Sequence, residues 1–522
     1  MAKRAQPVSH PVSPWPGTGA ALCVAALVLG SLVAVFLRAE SGRGFGPADW
    51  SAVRFTILQA CLSAGFSVLL AVPVARALAR RRFFGRRALI TLLGAPFILP
   101  VIVAVLGLLA VFGRSGWLSL LLGQFGLPPV QVYGLHGVVL AHVFFNLPLA
   151  TRLILQGWQE IPAEQFRLAA QLGVGPRAMW RLLERPMLAR IVPGALAVVF
   201  AICLTSFAVA LTLGGGPKAT TIELAIYQAF RFDFDLGRAA LLSVVQIALT
   251  GGAALIALRV SQSEGFGGGL DRPVQRWDAA GLGLRVLDGA VIALATVFLV
   301  LPLLAIVLSG VPGLLALPGV VFQAALLSVL VALASTALLL ILAVPMAATA
   351  ALGRSAGVEI AGLLGLAASP LVIGTGLFVI IYPLADPFAL ALPVTALVNA
   401  VMALPFALRI LVPRARQVVG RYSKLGLSLN MQGRAFLWRV LIPRMRPQIG
   451  FAAGLAAALS MGDLGVIALF ADPDLATLPL QIYRLMGAYQ MQAASGAALL
   501  LLVLSMGLFW GLDRGGRWHA EA

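Results

Sequence analysis

The stretch Arg167-Leu168-Ala169-Ala170-Gln171-Leu172-Gly173 opens a basic segment that runs to Pro186 between two apolar regions. A related stretch, Lys424-Leu425-Gly426-Leu427-Ser428-Leu429-Asn430, begins 257 residues later and runs to Pro443. In both copies, two leucines at helical spacing precede a turn position, which is glycine in the first copy and asparagine in the second. Asparagine tolerates the left-handed backbone conformation that glycine supplies at a turn. Each copy therefore predicts a hairpin made of a helix, a tight turn and a second short helix.

The composition of the chain predicts a membrane protein. Of its 522 residues, 60% are hydrophobic and 11% are charged. A soluble protein of this length does not need that much apolar surface, whereas a bilayer supplies an apolar solvent for it. The net charge is +19, but the basic residues cluster between apolar runs, which is how membrane proteins encode their orientation. We therefore predict contact with the lipid bilayer and no nucleic-acid partner.

Twelve apolar stretches are long enough to span a bilayer, and they form two sets of six. The glycine-rich stretch 263–283 is the predicted cytoplasmic linker, so residues 1–262 form a first module and residues 284–522 a second. The predicted spans lie near 20–38, 52–78, 88–112, 134–157, 188–213, 236–259, 284–309, 322–351, 357–383, 391–412, 447–470 and 490–512.

The repeat extends into the predicted spans, since Ala-Val-Pro-Val-Ala at 71–75 matches Ala-Val-Pro-Met-Ala at 343–347. Six spans return the chain to its starting side, so the two halves have the same orientation, related by an axis along the membrane normal. Most of the 38 lysines and arginines fall on the side of the N-terminus, which the positive-inside rule assigns to the cytoplasm. Both termini are predicted to be cytoplasmic.

The chain has few residues that suggest chemistry. Its three cysteines (Cys23, Cys61 and Cys203) lie in apolar stretches and have neither metal-ligand nor disulfide spacing. No Gly-x-x-x-x-Gly-Lys-Ser/Thr loop is present, so the chain cannot hydrolyse ATP as P-loop enzymes do. We predict that it is not an enzyme and that it has no catalytic residue, metal site or cofactor.

The repeated hairpin resembles the coupling loops, also called EAA loops, of permease subunits in ABC importers. That family has a Glu-Ala-Ala triplet, a glycine shortly after it, and later a Leu-Pro pair. In both copies here a basic residue replaces the glutamate, and the second copy has lost the glycine. The resemblance implies docking of an ATPase through shape and apolar contact. The positions that it assigns to this coupling are Arg167, Ala169, Gly173, Pro186, Lys424, Gly426, Asn430 and Pro443.

The resemblance covers nearly the whole chain. It implies an all-α polytopic fold of two parallel type I importer (MetI-like) modules, with coupling loops at 160–186 and 417–443. A fused permease of this length is typical of the thiamine and ferric-iron importers, and the segment from Leu213-Gly214-Gly215-Gly216-Pro217 to Tyr227-Gln228 most resembles the thiamine permeases. It thus implies import of thiamine or its phosphates across the bacterial inner membrane, with ferric iron or another small solute as the alternative. The implied partners are a homodimeric ABC ATPase and a periplasmic substrate-binding protein.

One acid stands out within the apolar stretches. Asp463 lies in the second half, and the position 257 residues before it is Ser206. Because ionisable residues inside a membrane usually face a cavity or a partner, both are candidates for the translocation pathway. A gate or a structural hydrogen bond explains Asp463 at least as well. A secondary carrier driven by ions would need several such acids or histidines as relays, which makes that class a weaker explanation.

An outer segment after the Gly-Gly-Gly-Pro turn mixes aromatic and charged residues. We predict that it docks the binding protein through Glu223, Tyr227, Asp233 and Asp235. A solvated loop without a partner is the alternative.

Overall fold

The computed structural model describes residues 13–39, 44–94, 98–260, 281–352, 356–470 and 475–518. Regular structure in these ranges is helical, without strands. Among the described residues, 11 helices are long and apolar enough to cross a membrane, or 12 if the bent pair Ala356–Gly365 and Pro370–Ile381 is one span. The predicted all-α polytopic fold with about 12 spans is thus confirmed. Residues 263–280 of the predicted linker lie outside the described residues.

The first half of the sequence contains twelve described helices. They are α1 (Trp15–Arg38), α2 (Pro47–Arg80), α3 (Arg86–Leu92), α4 (Val101–Phe112), α5 (Trp117–Gln124), α6 (Leu135–Glu160), α7 (Ala163–Gln171), α8 (Pro176–Met179), α9 (Arg185–Leu204), α10 (Ala208–Leu213), α11 (Ile222–Arg231) and α12 (Leu236–Val260).

The second half contains ten described helices. They are α13 (Leu282–Gly313), α14 (Gly319–Ala350), α15 (Ala356–Ala367), α16 (Pro370–Ile381), α17 (Ala391–Ser428), α18 (Arg434–Phe436), α19 (Ile442–Met461), α20 (Gly465–Phe470), α21 (Leu478–Gly487) and α22 (Met491–Arg517). A π-helical turn precedes α9 at Trp180–Glu184, and another precedes α19 at Leu437–Leu441.

The chain forms two compact units whose membership crosses the sequence repeat. One unit comprises 40–319 and 481–502, and the other comprises 1–39, 320–480 and 503–522. Helix α13 therefore packs with α2 and α4 of the first half, and α1 packs with α15 and α16 of the second half. The boundaries 1–262 and 284–522 describe the repeat in sequence. In the compact units, by contrast, the first helix of each half (α1 or α13) belongs with helices of the other half.

One hydrogen bond occurs at equivalent places in the two halves. In one unit, the Thr56 hydroxyl of α2 accepts a bond of 2.8 Å from the backbone N–H of Ile222, the first residue of α11. In the other unit, the Ser328 hydroxyl of α14 accepts a bond of 2.7 Å from the N–H of Leu478, the first residue of α21. Thr56 and Ser328 are 272 residues apart, as are residues 71–75 and 343–347. The repeat inferred from the sequence is thus accompanied by an equivalent hydrogen bond in each half.

Two predicted spans are broken at the same point of the repeat. The prediction of one helix over 188–213 is wrong, because α9 ends at Leu204 and α10 begins at Ala208. The span predicted over 447–470 lies within one apolar helical segment, Arg434–Phe470, but it is interrupted between Met461, where α19 ends, and Gly465, where α20 begins. An apolar run shows no periodicity from which such a break could be read.

Candidate functional site

The first hairpin turns through a left-handed glycine. Helix α7 ends at Gln171, Gly173 has φ +62°, and α8 begins at Pro176. The N–H of Val174 donates to the carbonyl oxygen of Ala169 at 2.9 Å, which satisfies a helix-end carbonyl as in a Schellman motif. The predicted order of helix, tight turn and short helix is confirmed for this copy.

The second hairpin makes the same turn with a different residue. Asn430 has φ +53°, and the N–H of Met431 donates to the carbonyl oxygen of Gly426 at 2.7 Å. The prediction that asparagine supplies the left-handed conformation is therefore confirmed. The arm before the turn differs, because it is the end of the 38-residue α17 rather than a separate helix. Pro162 separates α6 from α7 in the first half, and Val419 occupies the equivalent position in the continuous α17.

The inner faces of both hairpins are apolar cores filled by different pairs of side chains. Ala169 and Met179 are buried in the first hairpin. The equivalent residues are Gly426 and Phe436, where the Phe436 side chain is fully buried and the glycine leaves room for its ring. The larger side chain, Phe436, is thus paired with the smaller residue, Gly426. This pairing accounts for glycine at the position where the first copy has alanine.

The outer faces share an exposed pattern of one base and two leucines. Arg167 and Lys424 are both exposed. The leucines that follow them are exposed by 56% and 71% in the first hairpin (Leu168 and Leu172) and by 54% and 60% in the second (Leu425 and Leu429). Exposed apolar residues on a helical hairpin are suited to insertion into a groove of another protein.

Each hairpin is joined to the long apolar helix that follows it by a matching π-helical turn. Trp180–Glu184 and Leu437–Leu441 begin 257 residues apart, and Pro186 and Pro443 follow them in the first turns of α9 and α19. Proline is tolerated there because the first N–H groups of a helix need no partner within the helix. All eight residues assigned to coupling therefore lie in two hairpins of the same design.

Ser206 lies in the break between α9 and α10, where it contacts a buried histidine. Its hydroxyl is 2.7 Å from Nε2 of His142, and Nδ1 of His142 is 3.1 Å from the hydroxyl of Ser63. A polar chain thus crosses from α2 through α6 to the break. The contact between His142 and Ser206 was not predicted from the sequence. One feature of the sequence could have indicated a functional position at His142: the equivalent residue 257 positions later, Asn399, is also polar.

Asp463 occupies the equivalent break in the second half. Its Oδ1 accepts a bond of 3.2 Å from the N–H of Gly465, at the start of α20. Its Oδ2 is buried and has no hydrogen-bond partner of ordinary geometry in the described chain, although the amide side chain of Asn399 interacts with the same carboxylate. Asn399 also donates to the Ser460 hydroxyl at 3.0 Å. Both pathway candidates therefore lie among polar side chains at interrupted helices, where transporters commonly form solute sites.

The outer segment divides into buried and exposed residues. Glu223 is fully buried and accepts a bond of 2.9 Å from Nε2 of Gln246. Tyr227 is 8% exposed, and burial raises the pKa of its phenol, with the neighbouring Tyr483 acting in the same direction. Asp235 caps α12 by accepting from the N–H of Arg238 at 2.9 Å.

Asp233 is the predicted docking residue that is most open to a partner. It is an exposed residue whose carboxylate is 3.2 Å from Nη1 of Arg238, and the adjacent Phe232 is 74% exposed. The docking role of the four residues stays a prediction. Because Glu223 and Tyr227 are buried, they have little surface available for direct contact with a binding protein.

The fold and the repeated hairpins define a permease of the ABC importer class, built from two fused MetI-like modules. No family model matches the chain. It is 40% identical over 534 residues to the thiamine transport system permease protein ThiP of Escherichia coli (strain K12), covering 98% of each chain. It is also 39% identical over 538 residues to ThiP of Brucella abortus (strain 2308), covering 99% of this chain and 97% of that protein. The chain belongs to the family of thiamine transport system permease proteins.

A relative of half the length supports the modular arrangement. The chain is 30% identical over 233 residues to the molybdenum transport system permease protein ModB of Mycobacterium bovis, covering 44% of this chain and 86% of that protein. The matched region of this chain thus corresponds to most of that permease. Together with its many spanning helices, the family identifies a multi-pass protein of the inner membrane.

Proposed function

We propose that this chain is the permease of a binding-protein-dependent importer that carries thiamine or thiamine phosphates into the cytoplasm. A separate homodimeric ATPase docks on the two hairpins and supplies the energy. The observation that carries the proposal is the duplicated left-handed turn at Gly173 and Asn430, each flanked by an exposed base and exposed leucines. Two equal subunits of an ATPase need two equal docking points, and the repeat provides them.

The proposed mechanism is rigid-body alternating access. ATP-driven closure of the ATPase dimer moves both hairpins, and each hairpin moves the helices to which it is joined. Both termini and both hairpins lie in the cytoplasm, in agreement with the distribution of basic residues. The binding protein delivers solute on the opposite side, next to Asp233 and Phe232.

The solute pathway includes Ser206 and Asp463. Both lie where a spanning helix is interrupted, and interrupted helices expose backbone groups only where they line a cavity or are buried in protein. Thiamine carries a cationic thiazolium ring, which the Asp463 carboxylate would attract. The names of the relatives support thiamine over ferric iron as the solute.

The deciding experiment is uptake into proteoliposomes that contain the permease, the co-expressed ATPase and the binding protein. We expect thiamine uptake to require all three components. It should also require ATP on the side of the membrane where the ATPase is bound. Uptake driven by a proton or sodium gradient without the ATPase would identify a secondary carrier instead. Binding assays on the partner protein with thiamine, thiamine phosphates and ferric iron decide the solute.

A further inference from the structure

A buried carboxylate joins the end of the first hairpin to two other helices. Glu184, at the end of the π-helical turn, has a fully buried side chain. Its Oε2 is 2.6 Å from Nη2 of Arg76 in α2, and its Oε1 accepts a bond of 3.3 Å from Nε1 of Trp158 in α6. Its Oε1 is also 3.7 Å from Nη2 of Arg80, a second arginine of α2, whose side chain is 1% exposed. We call this group, with the acid described next, the charge cluster.

The charge cluster continues to α13 through a second acid. Nη1 of Arg80 is 3.8 Å from Oδ1 of Asp288, and Nε of Arg81 donates to Oδ2 of Asp288 at 2.7 Å. Asp288 belongs to α13 and is 5% exposed. The guanidinium of Arg76 also lies over the Trp180 ring, 4.6 Å from its centroid, at the start of the π-helical turn. The cluster thus joins the hairpin end, α2, α6 and α13.

The second half has apolar residues at the equivalent positions. Leu441 corresponds to Glu184, and Ala348 and Leu352 correspond to Arg76 and Arg80 at the spacing of 272 residues. Leu441 is fully buried and Ala348 is 2% exposed. The same fold therefore has uncharged residues at these three described positions. Stability alone does not require the cluster, since apolar side chains of similar size serve as well or better in buried sites.

The charge cluster fixes the positions of the hairpin end and the three helices relative to one another. A buried carboxylate cannot separate from its arginines without leaving an uncompensated charge, whereas apolar side chains can slide over one another at little cost. We propose that Glu184 is a positioning residue that makes the first hairpin, α2 and α13 move as one body when the ATPase acts. The second hairpin, which has Leu441 in place of a buried carboxylate, moves with more freedom. This inference rests on the proposed docking of the ATPase at the hairpins.

The main test measures thiamine imported per ATP hydrolysed by the reconstituted wild-type complex and by variants at equal amounts of assembled complex. Glu184→Gln keeps the shape but removes the charge, and we expect it to lower this ratio about five- to tenfold, as for the loss of a typical coupling energy. The matched control is Glu359→Gln. Glu359 also pairs with an arginine, Arg416, but this pair is 41% and 52% exposed, and we expect no change.

A composite variant separates positioning from simple packing. Arg76→Ala, Arg80→Leu and Glu184→Leu together copy the residues of the second half. We expect this variant to assemble with the ATPase but to keep a lowered ratio of thiamine to ATP. A ratio at the wild-type level in the composite, or in Glu184→Gln, overturns the proposal and leaves the cluster as a packing feature.

Hydrogen exchange on the wild-type complex gives an answer even if the variants fail to assemble. We expect the amides of 180–188 and those at the end of α2 to be protected equally, with and without ATP. Exchange of 180–188 that rises with ATP while α2 stays protected overturns the proposal. Failure of the wild-type permease to retain any ATPase would instead contradict the proposed function, and the exchange measured on the permease alone would still report on the cluster.

Discussion

The ring of Phe436 packs directly against Gly426 in the second hairpin. A Cβ placed on this glycine would lie 2.7 Å from Cδ2 of the ring, closer than real Cβ atoms come. Because Phe436 is fully buried, its ring has little space into which it could move. The first hairpin fills the same place with Ala169 and Met179, and methionine is flexible enough to fit beside a methyl group.

We expect Gly426→Ala to destabilise the permease by about 1–3 kcal/mol, because it overpacks a filled core. Thermal unfolding of the purified protein in nanodiscs measures this loss. The double variant Gly426→Ala with Phe436→Met copies the first hairpin and should recover most of it. The control is Gly420→Ala in the same helix, where a Cβ meets nothing within 4 Å and alanine should be neutral or stabilising. Equal losses at both glycines would contradict the packing argument.

Exchange of the two turn residues should be tolerated, whereas β-branched residues should not. Gly173→Asn and Asn430→Gly each keep a residue that accepts positive φ, so we expect ATP-driven thiamine uptake close to that of the wild type. Gly173→Val and Asn430→Val force the turn out of its left-handed conformation at a cost of about 1–2 kcal/mol. We expect these variants to uncouple ATP hydrolysis from uptake. Unchanged coupling in both valine variants would show that the turn geometry does not serve docking.

Much of the hairpins was predictable because their chemistry is local. A left-handed turn favours glycine or asparagine at one position, and the spacing of 257 residues revealed both copies. The exchange of α1 and α13 between the units was not predictable, because it depends on tertiary packing between helices that are apolar on all sides. The burial of Glu184 was missed for a related reason. Its partner Arg76 is 108 residues away in sequence, and nothing near Glu184 indicates that partner.

The exposed leucines before the two turns should contribute directly to ATPase binding. Leu172 and Leu429 are the most exposed leucines before the two turns. We expect Leu172→Ser and Leu429→Ser each to weaken binding of the ATPase about ten- to a hundredfold, since burial of one such side chain contributes about 1.5–3 kcal/mol. Titration of the ATPase onto permease in nanodiscs measures the effect. Leu384→Ser is the control, because Leu384 is 80% exposed but lies outside the hairpins. Equal binding by all three variants would exclude the leucines from the docking surface.

Asp463 provides a test of the proposed pathway. Asp463→Asn keeps an oxygen for the N–H of Gly465 and removes only the charge. If the carboxylate contacts the cationic solute, the KM for thiamine uptake should rise about tenfold, the scale of one charge-assisted contact, while assembly with the ATPase stays intact. The matched control is Asp386→Asn, since Oδ1 of exposed Asp386 likewise accepts from the N–H two residues later, at 3.0 Å in Phe388. An unchanged KM with normal assembly would exclude substrate contact, and loss of assembly would assign Asp463 to the structural support of α20.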